Sequence, residues 1–253
     1  MKNLPSPLDL LLDPVSLIIF LIYGGLMVWE ALIPARELPH VKNWKRKGML
    51  SFFVFFFLSS YLPIFIDPLI APHLLFDLSG LGTFLSALIG IVGYQLVVYL
   101  YHRLVHKSDV LWRVFHQMHR SAERLDTYGA FYFSPTDMVS FTLIGSVVFA
   151  FFVGLPPEAV TPVILILNFL SIFQHANVKT PQWLGYIIQR PESHTIHHAR
   201  GIHAHNYSDL PIWDIVFGTF VNPPSYQNDT GFFQGSTDKV KEMLLFRDVN
   251  KEL

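Results

Sequence analysis

Cysteine is absent from this chain of 253 residues, and charged residues are scarce. The absence of cysteine excludes disulfides, thiolate metal sites, cysteine-held iron–sulfur clusters and a cysteine nucleophile. Charged residues make up 15% of the chain and apolar residues 51%, whereas a soluble domain usually carries about 25% charged residues. Because the uncharged positions are concentrated in long stretches, the composition indicates a protein that crosses a membrane several times.

Five apolar segments are separated by polar connections. A run of about 18 or more apolar residues can cross the hydrocarbon core as a helix, and helix satisfies every backbone amide within its own segment. The last two segments are short and closely joined, so they form either a full hairpin or one that enters deeply without crossing. We therefore predict an all-α membrane bundle with four or five transmembrane helices. The segments are 15–34, 49–70, 82–101, 138–155 and 159–175.

Basic residues are distributed unevenly between the connections, and this distribution predicts the orientation. The connection 35–48 has five basic residues and the single acid Glu37, the connection near 67–81 has acids and no Lys or Arg, and 102–137 is basic again. The positive-inside tendency places the basic connections and the C-terminal part in the cytoplasm. This alternation fits five crossings with the N-terminus outside; four crossings plus a surface-lying segment is the alternative.

No internal repeat and no separate soluble domain is evident, so we expect residues 1–253 to form one integral-membrane domain. Its predicted parts are the N-terminal membrane helices in 1–101, a catalytic region in 102–222 that includes the hydrophobic hairpin 138–175, and a peripheral C-terminal tail in 223–253. Two shorter stretches are expected at the surface: an amphipathic interfacial helix in 108–125 and a short helix in 178–191.

Histidine is concentrated in one part of the chain, where ten of the twelve histidines lie between positions 102 and 205. Histidines spaced by three or four residues share one face of a helix and can reach one metal ion or two neighbouring ions. A single such pair is more often a hydrogen-bonded surface pair. Several pairs beside apolar segments predict a metal centre, because histidine is costly near lipid unless it has a function. Imidazole suits zinc, copper, iron and nickel, and there are more histidines here than one tetrahedral ion needs.

Five motifs give this part of the chain its strongest signal: HRLVH at 102–106, LWRVFHQMHRS at 111–121, PESHTIHH at 191–198, HNY at 205–207 and WDIVFGTF at 213–220. Together they resemble the fatty acid hydroxylase/sterol desaturase superfamily over roughly residues 95–222. The resemblance implies a helical membrane domain with a histidine-rich cap on its cytoplasmic face. It also implies a non-haem di-iron centre that uses dioxygen as a co-substrate.

Carried over by position, the resemblance implies eight metal-ligating histidines. One position departs from the family pattern, because Arg120 stands where histidine is usual and a guanidinium cannot ligate a metal. His203 or His205 could supply the missing nitrogen. The implied ligands are His102, His106, His116, His119, His175, His194, His197 and His198.

Metal-bound imidazoles usually donate their second nitrogen to a carboxylate or a carbonyl group. Four polar residues lie near the histidines in the sequence and are candidates for such a supporting role, although each alone is more often a helix cap or a surface group. Asp214 is favoured among them because it belongs to the WDIVFGTF motif. The four candidates are Asp126, Asn206, Asp209 and Asp214.

The resemblance implies an oxidoreductase that hydroxylates, or alternatively desaturates, a C–H bond of a lipid substrate. Electrons would come from an external ferredoxin- or cytochrome-type donor, because the chain has no GxGxxG dinucleotide motif and no cysteine-held cluster. The expected partners are this donor, the lipid substrate and the surrounding membrane lipids, and no nucleic acid. The alternative hypothesis, favoured by Arg120, is a non-catalytic metal-binding membrane protein or a degenerate member of the superfamily.

Overall fold

Helices form almost all the regular secondary structure of the computed structural model, which describes residues 4–226 and 229–251. Two short strands, β1 (Phe76–Asp77) and β2 (Val153–Gly154), pair in parallel. The helices are α1 (Pro7–Leu12), α2 (Pro14–Leu32), α3 (Trp44–Ile70), α4 (Gly82–Lys107), α5 (Asp109–Leu111), α6 (Gln117–Arg120), α7 (Pro135–Ser146), α8 (Pro157–Phe173), α9 (Pro191–His197), α10 (Ile212–Val216) and α11 (Val240–Leu244).

Four helical stretches within the described residues are long and apolar enough to cross a membrane: Pro14–Leu32, Trp44–His73, Ser79–Lys107 and Pro135–Phe152. The last of these joins α7 to a π-helical turn. Helix α8, with 17 residues, is shorter, as the length of its apolar segment predicts. The prediction of an all-α membrane bundle with four or five spanning helices is therefore confirmed.

Local sequence signals explain where three of these helices begin. Ser6 and Asp9 form a capping box at the start of α1, in which each side chain accepts a hydrogen bond from the backbone N–H of the other. Asp13 caps α2 and Ser134 caps α7, and each is followed by a proline at the first helical position. A cap followed by proline thus sets where α1, α2 and α7 begin.

The bundle packs α2 against α8, α3 against α7 and α4 against α8. Aromatic side chains fill the space between α2, α3 and the segment before α7: the rings of Tyr23 and Phe52 stack with centroids 4.2 Å apart, and Phe131 lies against both. Gly48 allows α3 to approach the backbone at Tyr128 closely, because a Cβ atom at position 48 would lie 2.1 Å from the Tyr128 carbonyl oxygen.

Glu30, at the end of α2, ties the membrane helices to the histidine-bearing segments. Its Oε2 accepts hydrogen bonds from the Thr127 backbone N–H at 2.9 Å, the Thr127 hydroxyl at 2.7 Å and the Asn177 backbone N–H at 3.1 Å. Trp44, at the start of α3, donates from Nε1 to Asp126 Oδ1 at 2.7 Å. These buried bonds hold the connections after α6 and α8 in place, since an unpaired buried polar group would be costly.

Two segments outside the bundle differ from the sequence-based expectations. The stretch 108–125 contains α5, a π-helical turn at Trp112–His116 and α6, and it is buried from His116 to Ala122 rather than lying open at an interface. The stretch 178–191 contains only a 3₁₀ turn, Gln182–Tyr186, before α9 begins. The burial of 116–122 places these residues inside the protein rather than at the membrane surface.

The C-terminal segment, for which the sequence predicts a peripheral tail, packs in part of the described range 229–251 against the chain that follows α6. Thr237 and Met243 are buried, and the Glu123 carboxylate accepts hydrogen bonds from the backbone N–H groups of Gly235 and Thr237. The charged composition of this segment hides these buried positions, because its apolar residues show no long run.

The close approach at Gly48 predicts that Gly48→Ala destabilises the protein. The added methyl group would overlap the Tyr128 carbonyl and force α3 outward, which we expect to lower the free energy of unfolding by about 1–3 kcal/mol. Thermal unfolding of the purified protein in detergent measures this change.

Gly24→Ala is the matched control, because a Cβ atom at position 24 of α2 has no neighbour within 4 Å. The control should leave stability unchanged or raise it by up to about 1 kcal/mol through helix propensity. Equal melting temperatures for the two variants would contradict the described packing of α3.

Candidate metal centre

Eight histidines from four parts of the chain meet in two groups, which we call the first and second tetrads. Among the described residues, one ring nitrogen from each member of a tetrad lies within 4.8 Å of those of the other three. Together the tetrads contain all eight histidines that the sequence resemblance implies. The first tetrad is His102, His106, His116 and His197, and the second is His119, His175, His194 and His198.

Helical spacing explains how these histidines are divided. His102 and His106 lie one turn apart near the end of α4 and both join the first tetrad, while His194 and His198 do the same for the second. By contrast, the pairs His116/His119 and His197/His198 are split between the tetrads. The two groups are therefore neighbours that share the segment around α6 and helix α9.

The separations between ring nitrogens fit metal ligation. In the first tetrad, Nε2 of His102 lies 2.9 Å from Nε2 of His116. In the second, Nε2 of His175 lies 3.1 Å from Nε2 of both His119 and His194. Ligands that bind one ion at about 2.0–2.1 Å with angles near 90° place neighbouring nitrogens about 3 Å apart. The tetrads therefore have the spacing that an ion held between the rings requires.

Unpartnered nitrogens support the same conclusion. Both ring nitrogens of His106 and Nε2 of His197 are buried and have no hydrogen-bond partner among the described residues. Buried polar atoms are rarely left without a partner. An ion bound by the first tetrad would satisfy one nitrogen of each ring, and so the residues present fit a metal ion.

Acceptors outside the tetrads hold four of the rings in one orientation. Nδ1 of His102 lies 2.7 Å from the Tyr207 carbonyl oxygen, Nδ1 of His175 lies 2.7 Å from that of Ser171, and Nδ1 of His197 lies 2.8 Å from that of His205. A carbonyl oxygen only accepts, so these Nδ1 atoms carry the proton. Their Nε2 lone pairs are then left free for a metal ion.

The fourth such acceptor is a carboxylate, Asp137, which sequence reasoning missed. Its Oδ2 lies 3.0 Å from Nδ1 of His116, and both side chains are buried. Asp137 follows the Ser134-Pro135 start of α7, so it resembles an ordinary acid of a first helical turn. The signal that could have identified it is a charged residue at the edge of an apolar segment, because such residues are costly and usually functional.

Three of the four predicted supporting residues bond to neighbours of the tetrad histidines rather than to the histidine rings. Asp214 accepts from the backbone N–H of Tyr207 at 2.9 Å and so fixes the residue whose carbonyl holds His102. Asp209 accepts from Ser171, whose carbonyl holds His175. Asn206 donates to the Ser193 carbonyl at 2.8 Å, next to His194.

Three further predicted positions are not brought into the tetrads. Asp126 accepts hydrogen bonds from Trp44 and the Gly129 backbone and supports the fold rather than a histidine ring. The His203 ring lies against Trp112, and its Nε2 is 3.1 Å from Asn250. His205 contributes its backbone carbonyl to His197, and its ring belongs to neither tetrad.

Burial keeps the tetrad imidazoles neutral. It lowers the pKa of His116, His119, His194, His197 and His198 well below 6.5. Neighbouring histidines lower these pKa values further, and Arg120 does so for all of them except His119. Burial likewise lowers the pKa of His175 to about 4. Neutral imidazole is the form that binds metal, so the rings are ready for ligation at neutral pH.

A cavity of about 550 Å³ reaches the tetrads from within the bundle. Helices α2, α3, α4, α7 and α8 form its wall, which is largely apolar and rich in phenylalanine. Five histidines close one end of the cavity, so a bound apolar molecule would lie against both tetrads. These are His102, His116, His119, His175 and His194.

A known protein family matches the part of the chain that carries the tetrads. The fatty acid hydroxylase family model matches residues 87–219, which is just over half of the chain. The chain belongs to the fatty acid hydroxylase family. The matched range contains all eight tetrad histidines together with Asp137 and Asp214, and the resemblance that the sequence motifs indicate is confirmed.

The chain is similar to the ornithine lipid hydroxylase OlsE of Rhizobium tropici, with 30% identity over 143 residues. The match covers 55% of this chain and 43% of that protein, so the chain spans less than half the length of its relative. No solved structure matches this chain. The family match, the apolar helices and the histidine clusters together indicate a membrane protein of the fatty acid hydroxylase family.

The tetrads predict that His197→Ala removes the ion of the first tetrad. Because His197 belongs to only one tetrad, we expect the metal content to fall by about one ion per chain, since a site of four nitrogens loses one ligand. Mass spectrometry of the metal in purified protein measures the stoichiometry. His203→Ala is the matched control and should leave it unchanged; full metal content in His197→Ala would count against the assignment.

The His116–Asp137 hydrogen bond predicts weaker binding in Asp137→Asn. The amide cannot supply the negative charge that orients His116 and makes it more basic, so affinity at the first tetrad should fall about 10- to 100-fold. Competition with a chelator measures this affinity. Glu158→Gln, a change of an exposed acid in the first turn of α8, should have no effect, and an equal loss in both variants would refute the proposed role.

Proposed function

We propose that this protein is a membrane-bound non-haem di-iron oxygenase that hydroxylates a C–H bond of a lipid, using dioxygen and electrons from an external donor. One observation carries this proposal: the largely apolar cavity within the membrane bundle ends at the two histidine tetrads. A cavity with this lining would place a hydrocarbon chain beside the metal centre.

The donor set supports iron as the metal. Each tetrad offers four neutral imidazoles and no thiolate, a set that suits iron as well as zinc or copper, and family membership favours iron among these. Two bound iron ions would supply the activation of dioxygen that attack on an unactivated C–H bond needs. The chain itself binds and orients the ions through the histidines and their carbonyl and carboxylate partners, and its apolar cavity keeps water away.

The cavity supports a lipid substrate. Its volume lies within the range of about 300–1,000 Å³ for ligand sites, and the rings of Phe52, Phe131 and Phe149 are among those that line it. Polar side chains, including Ser59 and Asp67, lie on the same wall. We infer that the acyl part of a lipid lies along the phenylalanine side chains and that its reactive carbon rests against the histidine end.

Hydroxylation is favoured over desaturation because both the family and its curated relative bear the name of hydroxylases. The rival function, a non-catalytic metal-binding protein, has Arg120 in its favour. A protein that only stored metal would have no use for a cavity of this size in front of the ions, and so the cavity favours the enzyme.

We further propose that the tetrads face the cytoplasm and that the electron donor docks on that side. Arg103, Lys107 and Arg113 surround the end of α4 that carries His102 and His106, and the positive-inside tendency places such residues in the cytoplasm. This basic surface suits an acidic donor of the ferredoxin or cytochrome type. Residues 1–253 would act as a single domain with the catalytic region in 102–222.

The experiment that tests the function supplies the iron-loaded protein with a reductant system, a panel of membrane lipids and ¹⁸O-labelled dioxygen. We expect one labelled oxygen atom in a hydroxylated lipid, detected by mass spectrometry, and no label with His197→Ala. Absence of label from every lipid, with both ions bound, would favour the non-catalytic alternative. A new double bond without label would indicate desaturation.

The cavity also predicts the effect of filling it. Gly145 lies on its wall, and a Cβ atom there has no neighbour within 4 Å. Gly145→Leu should occupy space needed by the acyl chain and lower turnover of long-chain lipids by at least about tenfold, since small displacements of a reacting carbon are costly. Metal content should be unchanged.

Gly93→Leu is the matched control for this substitution. Position 93 is equally open and lies on α4, but it is not on the cavity wall. Comparable loss of turnover in both variants would show that the cavity does not hold the substrate.

A further inference from the structure

Arg120, the residue that departs from the family pattern, is a buried cation with unused hydrogen-bond donors. It ends α6 and is 2% exposed. Its Nη2 donates to the Ile202 carbonyl oxygen at 2.6 Å. Nε and Nη1 are buried and have no hydrogen-bond partner among the described residues. None of the ion pairs formed by the described residues includes Arg120.

The guanidinium lies beside the first tetrad. Arg120 follows His116 by one helical turn, and Ile202 belongs to the same loop as His205, whose carbonyl holds His197. Ile202 also precedes His203, whose ring centroid lies 6.1 Å from that of His106, a member of the first tetrad. The side chain therefore reaches from α6 to the loop after α9, alongside the first tetrad.

A cation in this position needs an anion. Burying a guanidinium without a counterion costs several kcal/mol, and ions bound by the tetrads would add repulsion. An arginine guanidinium is not deprotonated in proteins, so the side chain keeps its positive charge. The guanidinium is planar, and its unpaired Nε and Nη1 groups can donate hydrogen bonds to a small anion. A metal ion bound by the four nitrogens of the first tetrad can accept a further ligand.

We propose that Arg120 and the metal ion of the first tetrad together bind a small anionic ligand, of the hydroxide, carboxylate or carbonate class. This anion takes the place of the imidazole that the family pattern puts at position 120. The inference rests on the proposed metal centre and adds an anion site to it. It gives Arg120 a function in an active centre rather than marking the chain as degenerate.

Azide binding to the cobalt-loaded protein tests this proposal without substrate or reductant. Cobalt(II) gives visible absorption bands that change when a ligand joins, so a titration of the full chain in detergent yields the azide Kd. We expect saturable binding to the wild type and about 10- to 100-fold weaker binding in Arg120→Gln and Arg120→His, since each loses a charge-assisted hydrogen bond.

Arg113→Gln is the matched control, because Arg113 lies on the same segment with its Nε bonded to the Asp109 carbonyl. Azide affinity and cobalt content should both equal those of the wild type. Arg120→His restores the residue usual in the family and serves as the second variant if Arg120→Gln does not fold.

Two kinds of failure are distinguishable. A chain that takes up no cobalt would overturn the proposed metal centre and the anion site with it. A cobalt-loaded wild type that shows no response to azide would overturn the anion site alone, and so would equal azide affinity with and without Arg120. A wild-type protein that binds azide through Arg120 but hydroxylates no lipid would count against the proposed function only.

Discussion

The structure depends on one constraint: eight neutral imidazoles must be buried with their lone pairs directed at one another. Without ions this arrangement is unfavourable, because several ring nitrogens are removed from water and left unpaired. The surrounding chain compensates by holding Nδ1 of four of the rings with hydrogen-bond acceptors. These acceptors are the Tyr207, Ser171 and His205 carbonyls and the Asp137 carboxylate. A centre of this kind is held by its neighbours before any ion binds.

The membrane helices serve this centre in two ways. They enclose the cavity that leads to it, and they anchor the segments that carry its ligands, as Glu30 does for the connections at Thr127 and Asn177. Gly48 permits the close packing of α3 on the first of these connections. Function and stability are therefore linked, since loosening the bundle would also displace the histidines.

Much of the fold could be predicted because long apolar runs and histidine spacings are local signals. Spanning helices follow from composition alone, and the motifs identify the family. Long-range pairings were harder to predict. Asp137, in the first turn of α7, meets His116 because the connection between α6 and α7 folds back. Asp126, near the histidines in sequence, bonds to Trp44 instead. Contacts of the C-terminal segment, such as that of Thr237 with Glu123, are also hard to predict because scattered contacts leave no periodic pattern.

The division of adjacent residues between the two groups has a consequence for assembly. His197 and His198 follow one another at the end of α9, yet each belongs to a different tetrad. Because the His205 carbonyl holds His197 before any ion binds, this one turn presents a ligand to each of the two sites. A displacement of that turn would therefore misplace a ligand of both ions together, whereas removal of one side chain would affect a single ion.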